Sequence, residues 1–522
     1  MTRVAVVGGG PGGLFLATLL RAHDPSAQVT VFERNHADDT FGFGVVFSDA
    51  TLAGIHEADP VLRDALAEHG VHWDAIEVRL KGERYRCGGN GMTAIARKTL
   101  LLLLQQRARD AGVELRFRAE ADLDDLAGYD LVVAADGANS RIRDRLADVL
   151  EPTAETAAAK FIWFGTTYAF EGLTFVHERG PDGVFAVHGY PIGGGVSTFI
   201  VETDERSWLA AGLDEFDVAQ PAGPSDDKSR RYLEKLFADQ IDGHPLLTNN
   251  SRWGSFRTRR TGRWHHRDVV LLGDAAHTAH FSVGSGTKMA MEDAVALATA
   301  LGRHPGDHDA ALASYEAEAR PSVQRIQDSA RPSLSWWEHF GRYHDALAPW
   351  QFAFHFLTRS ISGGRLARRD PAFVAATHKA WKDVHGAEPL SSPFRAGAAA
   401  LPARAVDVVR TDDGAVAGGI PLRSHAAGRG GLWLEAPVAE SGMPQALAEL
   451  HAGAQYGPAL VGVHGGSRLT RTLLAEEARL VAGVPALLVD DGMDRDEAET
   501  VLLSGRADLV GGSPETVRGW LG

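Results

Sequence analysis

Apolar residues in this chain follow two rhythms. Short unbroken runs rich in Val, Leu, Ile and Ala, at residues 3–7, 29–32, 130–135, 269–272, 460–463, 486–489 and 508–510, have the length of strands buried on both faces. Residues 14–20, 97–111 and 288–301 read as helices lying between or after such runs, and residues 464–482 and 494–503 repeat the alternation near the end. The middle of the chain differs: residues 161–168, 183–191 and 196–201 are β-rich and separated by glycine turns, so they predict an antiparallel sheet. Side chains alternate faces along such strands, and their aromatic residues serve either a pocket or a core. Residues 388–405, rich in Pro, Ala and Gly, read as a linker.

At 522 residues the chain exceeds one ordinary core and predicts two or three domains. A net charge of −15 argues against nucleic acid or an anionic membrane as the main partner. The single cysteine, Cys87, excludes an internal disulfide framework and fits a reducing compartment. With the first strand at residue 3 there is no room for a leader, and the apolar run 100–104 is far too short to span a bilayer, so a cytoplasmic location is expected. His265 with His266, and His277 with His280, lack acids or cysteines in ligand spacing, so no metal centre is expected.

The chemistry concentrates in three glycine-bearing segments. The first, Gly8-Gly9-Gly10-Pro11-Gly12-Gly13, joins the first strand to its helix, where a tight turn lets a pyrophosphate approach unpaired N–H groups. Glu33 ends the second strand about 20 residues past Gly13, a spacing at which an acid binds a ribose hydroxyl. The second segment, Ala135-Asp136-Gly137-Ala138-Asn139-Ser140-Arg141, follows a buried strand. The third, Gly273-Asp274-Ala275-Ala276-His277, follows another and leads through Gly284, Ser285, Gly286 and Thr287 into a helix.

In order and spacing these segments resemble the single-component FAD-dependent aromatic hydroxylases. The resemblance implies an α/β fold: a Rossmann-like FAD-binding domain interleaved with a β-sheet substrate domain, together filling residues 1–385. It further implies that Gly8, Gly10, Pro11, Gly12, Gly13, Glu33, Arg34, Asp136, Gly273, Asp274, Gly284, Ser285, Gly286 and Thr287 contact FAD. Phe43 and Gly44, in the glycine-hinged stretch 41–48, would approach the flavin ring, and Arg97, opening its helix, would meet the phosphates. Two departures alter the pocket floor: Phe281 stands where the common pattern has proline beside the flavin, and Gly284-Ser285-Gly286 stands for Gly-Gln-Gly. The implied chemistry is reduction of FAD by NADH or NADPH, O₂ addition at flavin C4a, and attack on the resulting hydroperoxide by an electron-rich ring. His188, Tyr190, His280 and Phe281 are the candidates around that ring. An FAD protein that does not hydroxylate is the reading from another class.

Residues 161–166 and 280–287 narrow the resemblance to hydroxylases of aryl-CoA thioesters and, more distantly, the tryptophan hydroxylase of violacein biosynthesis. The expected substrate is salicylyl-CoA, hydroxylated para to its hydroxyl to give 2,5-dihydroxybenzoyl-CoA, with 2-aminobenzoyl-CoA, tryptophan or another free aromatic as alternatives. A polyanionic CoA needs local positive charge, and Arg257 and Arg259 stand within the cluster Arg252, Arg257, Arg259, Arg260, Arg263 and Arg267. After the linker, given as 386–405, residues 406–522 resemble the end of an old-yellow-enzyme reductase. They are too short for a (β/α)₈ barrel of about 250 residues, and they lack the arginine that reductase family places near the FMN phosphate. A truncated β/α-barrel-like region without FMN is therefore expected, and the reading admits a homodimer.

Overall fold

The computed structural model describes residues 2–40, 42–218, 223–281, 286–424 and 430–522. They form two compact units, one of residues 1–79 and 90–338 and the other of residues 80–89 and 339–522.

In the first unit the early apolar runs become a parallel sheet. Arg3–Val7 lies at its middle, with Gln28–Glu33 and then Glu114–Phe117 on one side, and Leu131–Ala134 and then Val269–Leu271 on the other. His265–His266 adds an antiparallel edge. The chain leaves the central strand toward one side and later returns to the other, which makes the carboxyl end of Arg3–Val7 a topological switch point, where such sheets bind ligands. Helices Pro11–His23 and Gly286–Arg303 pack together over it, with Leu14, Leu16, Met291 and Leu297 buried in the shared core.

The antiparallel sheet runs Leu246–Leu247, Pro152–Thr166, Ser197–Thr203, Gly183–Pro191, Leu173–Gly180, and Gly254–Thr261 pairs with Pro152–Thr166. Period-2 alternation splits it into two faces. Ile162, Phe164, Val176, Phe185, Val187, Phe199 and Val201 fill a closed apolar core with Leu233 and Phe237. The opposite face carries Phe161, Trp163, Phe175, His188, Tyr190, Ile200 and Glu202. A small sheet, Gly44–Ser48 with Met92–Ala96 and Val71–Trp73, contributes to the same apolar cluster as Trp163, Tyr190 and Phe281.

In the second unit, helices Pro349–Leu357, Gly363–Ala367 and Pro371–His385 precede a closed barrel. Residues 386–405 include a short hairpin, Phe394–Ala396 with Ala399–Leu401. The barrel strands are Ala405–Thr411, Gly414–Ala417, Ile420–Arg423, Gly431–Glu435, Val461–His464, Ala486–Val489 and Leu509–Gly512, and the first closes on the last through Ala405↔Val510 and Val406↔Gly511. Few residues suffice because the first three strands are joined by tight turns, Gly414–Ala417 running antiparallel to both neighbours, and among the described residues the helices inserted between barrel strands lie between the last four. The interior is packed with Val406, Val408, Leu422, Leu487 and Leu509.

Candidate active site

The ends of the parallel strands build a cradle. At Gly8 the backbone has φ +116°, and a Cβ there would lie 2.1 Å from the Ala135 carbonyl oxygen, so only glycine lets the ends of Arg3–Val7 and Leu131–Ala134 come this close. At Gly13 a Cβ would lie 2.2 Å from the Gly8 carbonyl. Gly10 is the opposite case, since a Cβ there meets nothing within 4 Å. It is the residue before the helix, which starts at Pro11, so the open side of the turn faces the helix N-terminus, where an anion is favoured. Gly12 lies against Leu272 and Ala290, which locks the helix to the third glycine segment. Glu33 accepts from the Gly9 amide at 2.8 Å and, through its other oxygen, from the Asn35 amide at 2.8 Å. Arg34 is exposed.

Among the described residues, Asp136 Oδ1, Arg97 Nε and His277 Nδ1 are buried in this region without a hydrogen-bond partner. Buried polar atoms are usually paired, and the cost of leaving them unpaired marks places where a bound polar group completes the site. Asp136 accepts from the Arg141 amide at 2.9 Å through its other oxygen, and burial raises its carboxyl above the usual range. Arg97 is brought in by its own amide, which donates to the Phe43 carbonyl at 2.8 Å. Its guanidinium lies 5.6 Å from the Trp163 ring, and burial lowers its pKa against the opposing charge of Asp274. Burial raises Asp274, with His277 and Arg97 opposing. The open glycine turn and these orphaned atoms fit a dinucleotide such as FAD.

Asp293 and His277 fix the third segment in a way the sequence did not announce. Asp293 Oδ2 accepts from the Gly273 amide at 2.9 Å and pairs with His277 Nε2 at 2.8 Å. Gly286 and Thr287 open the helix Gly286–Arg303, while Gly284 and Ser285 lie outside the described residues. Gly44 is close-packed, since a Cβ would lie 2.4 Å from Ile192 and 2.7 Å from Thr198, and Phe43 lies against Gly165 in the same way.

On the pocket face of the antiparallel sheet the structure brings His188, His280 and Phe281 together. Phe281 is 5.0 Å from Phe161, 6.1 Å from Trp163 and 5.6 Å from His188, ring centre to ring centre, and His280 stacks on it at 4.4 Å. Tyr190 sits two residues along from His188, its hydroxyl 3.4 Å from the Gly44 carbonyl and its pKa pushed by burial to about 12. Both histidines turn onto one buried acid, Glu202, which sequence reading passed over. Its signal was there: a carboxylate in a strand whose seven residues are all buried. A cavity of about 250 Å³ beside this face is bordered by Gly42, Arg97, Phe161, Trp163, Asn249 and Arg252.

The arginine cluster divides. Arg257 and Arg259 project from one face of Gly254–Thr261, whereas Arg260 lies 3.8 Å from Glu155 and 3.9 Å from Asp328, and Arg252 donates to the Pro224 carbonyl. Arg259 Nε is buried without a hydrogen-bond partner, and burial together with the like charges of Arg143 and Arg257 lowers its pKa.

A dinucleotide cradle at a switch point, beside an aromatic-lined sheet, is the arrangement of a flavin hydroxylase. The chain belongs to the FAD-dependent aromatic monooxygenases, and residues 1–330 match the family described as FAD binding domain. It is 59% identical over 520 residues to salicyloyl-CoA 5-hydroxylase of Streptomyces sp, covering 98% of this chain and 100% of that one. Identity is 37% over 334 residues to 3-hydroxy-4-methyl-anthranilyl-[aryl-carrier protein] 5-monooxygenase of Streptosporangium sibiricum, covering 64% of this chain and 88% of that one. Among solved structures, 2-methyl-3-hydroxypyridine-5-carboxylic acid oxygenase has the same fold at a TM-score of 0.53 and 19% identity, over 69% of this chain and 98% of that one. Among the described residues no helix is long and apolar enough to cross a membrane, and no group of three or more His, Cys, Asp or Glu side chains could hold a metal ion.

Proposed function

We propose that this monooxygenase hydroxylates an aryl-CoA thioester, salicylyl-CoA, at ring position 5. The observation that carries the reading is identity of 59% to salicyloyl-CoA 5-hydroxylase along 98% of the chain, the C-terminal barrel included. In balance, the substrate, O₂, NAD(P)H and a proton give the 2,5-dihydroxybenzoyl thioester, NAD(P)⁺ and water. Bound FAD supplies the passage of electrons from NAD(P)H to O₂.

The protein's residues hold and shield the partners. Gly8, Gly10, Pro11, Gly12 and Gly13 would receive the pyrophosphate, Glu33 the ribose, and Asp136, Arg97, Gly273 and Asp274 the rest of the dinucleotide, while Gly286 and Thr287 open a helix whose N-terminus would stabilise negative charge on the flavin. Phe281, Phe161 and Trp163 exclude water from the ring, and His188, Tyr190 and His280 orient its substituents. Arg257 and Arg259, reinforced by Arg143, take CoA phosphate, as the lowered pKa of Arg259 among like charges favours an anion there. A cytoplasmic location and a homodimer complete the reading.

The test is NADH and NADPH oxidation with product analysis against salicylyl-CoA, 2-aminobenzoyl-CoA, free salicylate and tryptophan. Salicylyl-CoA should give the highest kcat/KM with product matching the NAD(P)H consumed. Higher kcat/KM with a free aromatic sinks the thioester reading, and NAD(P)H oxidation that yields only hydrogen peroxide sinks hydroxylation itself.

A further inference from the structure

We propose that the cavity bordered by Trp163, Asn249 and Asn250 is a specificity subsite for the arm of the thioester, in which the two asparagines bind the first amide beyond the sulfur. The inference deepens the aryl-CoA reading above and rests on it. In CoA two methylenes separate the thioester sulfur from a secondary amide, a group that free aromatic acids lack.

The asparagines are consecutive, and their other bonds leave them with opposite capacities. Asn249 Nδ2 donates to the Gly42 carbonyl at 2.9 Å and to the Thr40 carbonyl at 3.1 Å, so both of its N–H bonds are used and its oxygen is left to accept. Asn250 Oδ1 accepts from the Gly223 amide at 3.0 Å, which leaves its NH₂ group to donate. Oxygen and nitrogen are assigned without ambiguity, because the partners are carbonyls in one case and an N–H in the other. Among the described residues neither the Asn249 oxygen nor the Asn250 nitrogen has a protein partner. An acceptor beside a donor is the complement of a secondary amide, whereas a carboxylate offers acceptors alone.

Local structure brings both side chains to one place. Successive side chains of an extended chain point to opposite faces. Asn250 has φ +54°, a left-handed conformation that asparagine tolerates, and this breaks the alternation, so that both residues border the cavity. The wall is pinned to the strand that carries Trp163. Ser251 Oγ donates to the Trp163 carbonyl at 2.6 Å and accepts from the Asn249 amide at 3.2 Å, and the Ser251 amide donates to Ser225 Oγ at 3.0 Å.

The cavity measures about 250 Å³. That is below the range of about 300–1,000 Å³ for a whole small-molecule site, so it suits a segment of a ligand. Phe161 and Trp163 border it and also lie 5.0 and 6.1 Å from Phe281, ring centre to ring centre, so it adjoins the aromatic residues assigned to the substrate ring. Among the described residues no acid borders it, and Arg252 at its edge donates to the Pro224 carbonyl at 3.2 Å. The ring therefore rests among the phenylalanines and the indole, and the arm leaves past the asparagines.

The experiment uses the FAD-loaded enzyme and three substrates: salicylyl-CoA, the salicylyl N-acetylcysteamine thioester, which keeps the amide but no phosphate, and the salicylyl S-butyl thioester, which keeps the sulfur and chain but no amide. Wild type should prefer the N-acetylcysteamine thioester to the S-butyl thioester by about 10-fold in kcat/KM, the cost of leaving the asparagine groups unpaired. Asn250→Asp keeps the oxygen that Gly223 needs and replaces the donor by an acceptor. It should raise KM for salicylyl-CoA about 10-fold and cut the preference between the two short thioesters to about twofold or less. A merely structural role would slow both short thioesters alike and leave the preference intact, and that result overturns the inference, as does a wild type that treats the two alike. Should Asn250→Asp fail to retain FAD, Asn250→Gly, which removes the NH₂ group and accepts the left-handed backbone, is measured in the same way. Free salicylate turned over with higher kcat/KM than every thioester instead overturns the substrate reading on which the inference stands.

Discussion

At the scale of single residues, the cradle is held by contacts that tolerate no extra atom and by polar atoms that await a partner. Asp136 and Arg97 are of the second kind, and Asp274 stands among them with its carboxyl raised by burial against the opposing charges of His277 and Arg97. Asp274→Ala should leave the fold intact and weaken FAD retention about 10-fold, the loss of one strong hydrogen bond, measured by equilibrium dialysis of the flavin; unchanged affinity would remove Asp274 from the site. The glycine segments were legible because their constraint is local, with a turn, a strand end and a helix start all within about ten residues. Glu202 and Asp293 were not legible, since their partners, His188, His280 and His277, come from distant segments and only the fold joins them. The histidines drew notice as candidates for a substituent; the acid that both of them reach did not.

At the scale of elements, the runs rich in Val, Leu and Ile were readable, and the less regular strands were not. Ala405–Thr411 carries the exposed Asp407, Val409 and Arg410, and Gly414–Ala417 and Ile420–Arg423 are only four residues each, so neither period nor length marked them. The second unit also depends on a buried ionic knot among its helices. Glu476, on Arg468–Leu480, is 3.2 Å from His355 and 3.1 Å from Arg342, and accepts from the Tyr343 hydroxyl. Burial pushes His355 down to about 4 from 6.5. Burial would raise Glu476, but hydrogen bonding from His355 and the charges of Arg342 and Arg506 hold it at about 2, below 4.5. Both folded values lie under the unfolded ones, so the unfolded chain binds protons first as pH falls. The histidine's contribution to stability is complete above about 6.5 and is lost toward 4, and the glutamate's is complete above about 4.5 and is lost toward 2. His355→Gln, which can still donate to Glu476, should flatten the fall in Tm between pH 6.5 and 4 and leave the steeper fall below 4.5. An identical Tm profile in the two proteins would show that His355 does not titrate with folding.

At the scale of the whole molecule, two units carry β/α architecture, and the question is whether both bind a flavin. The glycine cradle of the first unit leaves Gly10 open and Asp136 and Arg97 with unmet hydrogen-bonding capacity. The barrel of the second unit shows the opposite condition at the end of its last strand. After Leu509–Gly512 the chain turns at Ser513 into the helix Pro514–Leu521, where a phosphate would find backbone N–H groups. There the Ser513 amide already donates to Asp491 at 2.6 Å, and the Ser513 hydroxyl accepts from the Thr516 amide at 3.2 Å. A carboxylate thus stands where a phosphate would have to sit, and like charge at that distance opposes a second anion. The sequence expectation of a barrel without FMN rested on the missing arginine, and the fold adds Asp491 at the Ser513 amide. Purified protein should therefore yield FAD at one equivalent per chain and no FMN when its flavins are released by heat and separated by chromatography, and added FMN should not protect the second unit in a thermal melt. FMN recovered in stoichiometric amount beside FAD would mean that Asp491 yields its place to the phosphate and that the barrel is a second flavin site.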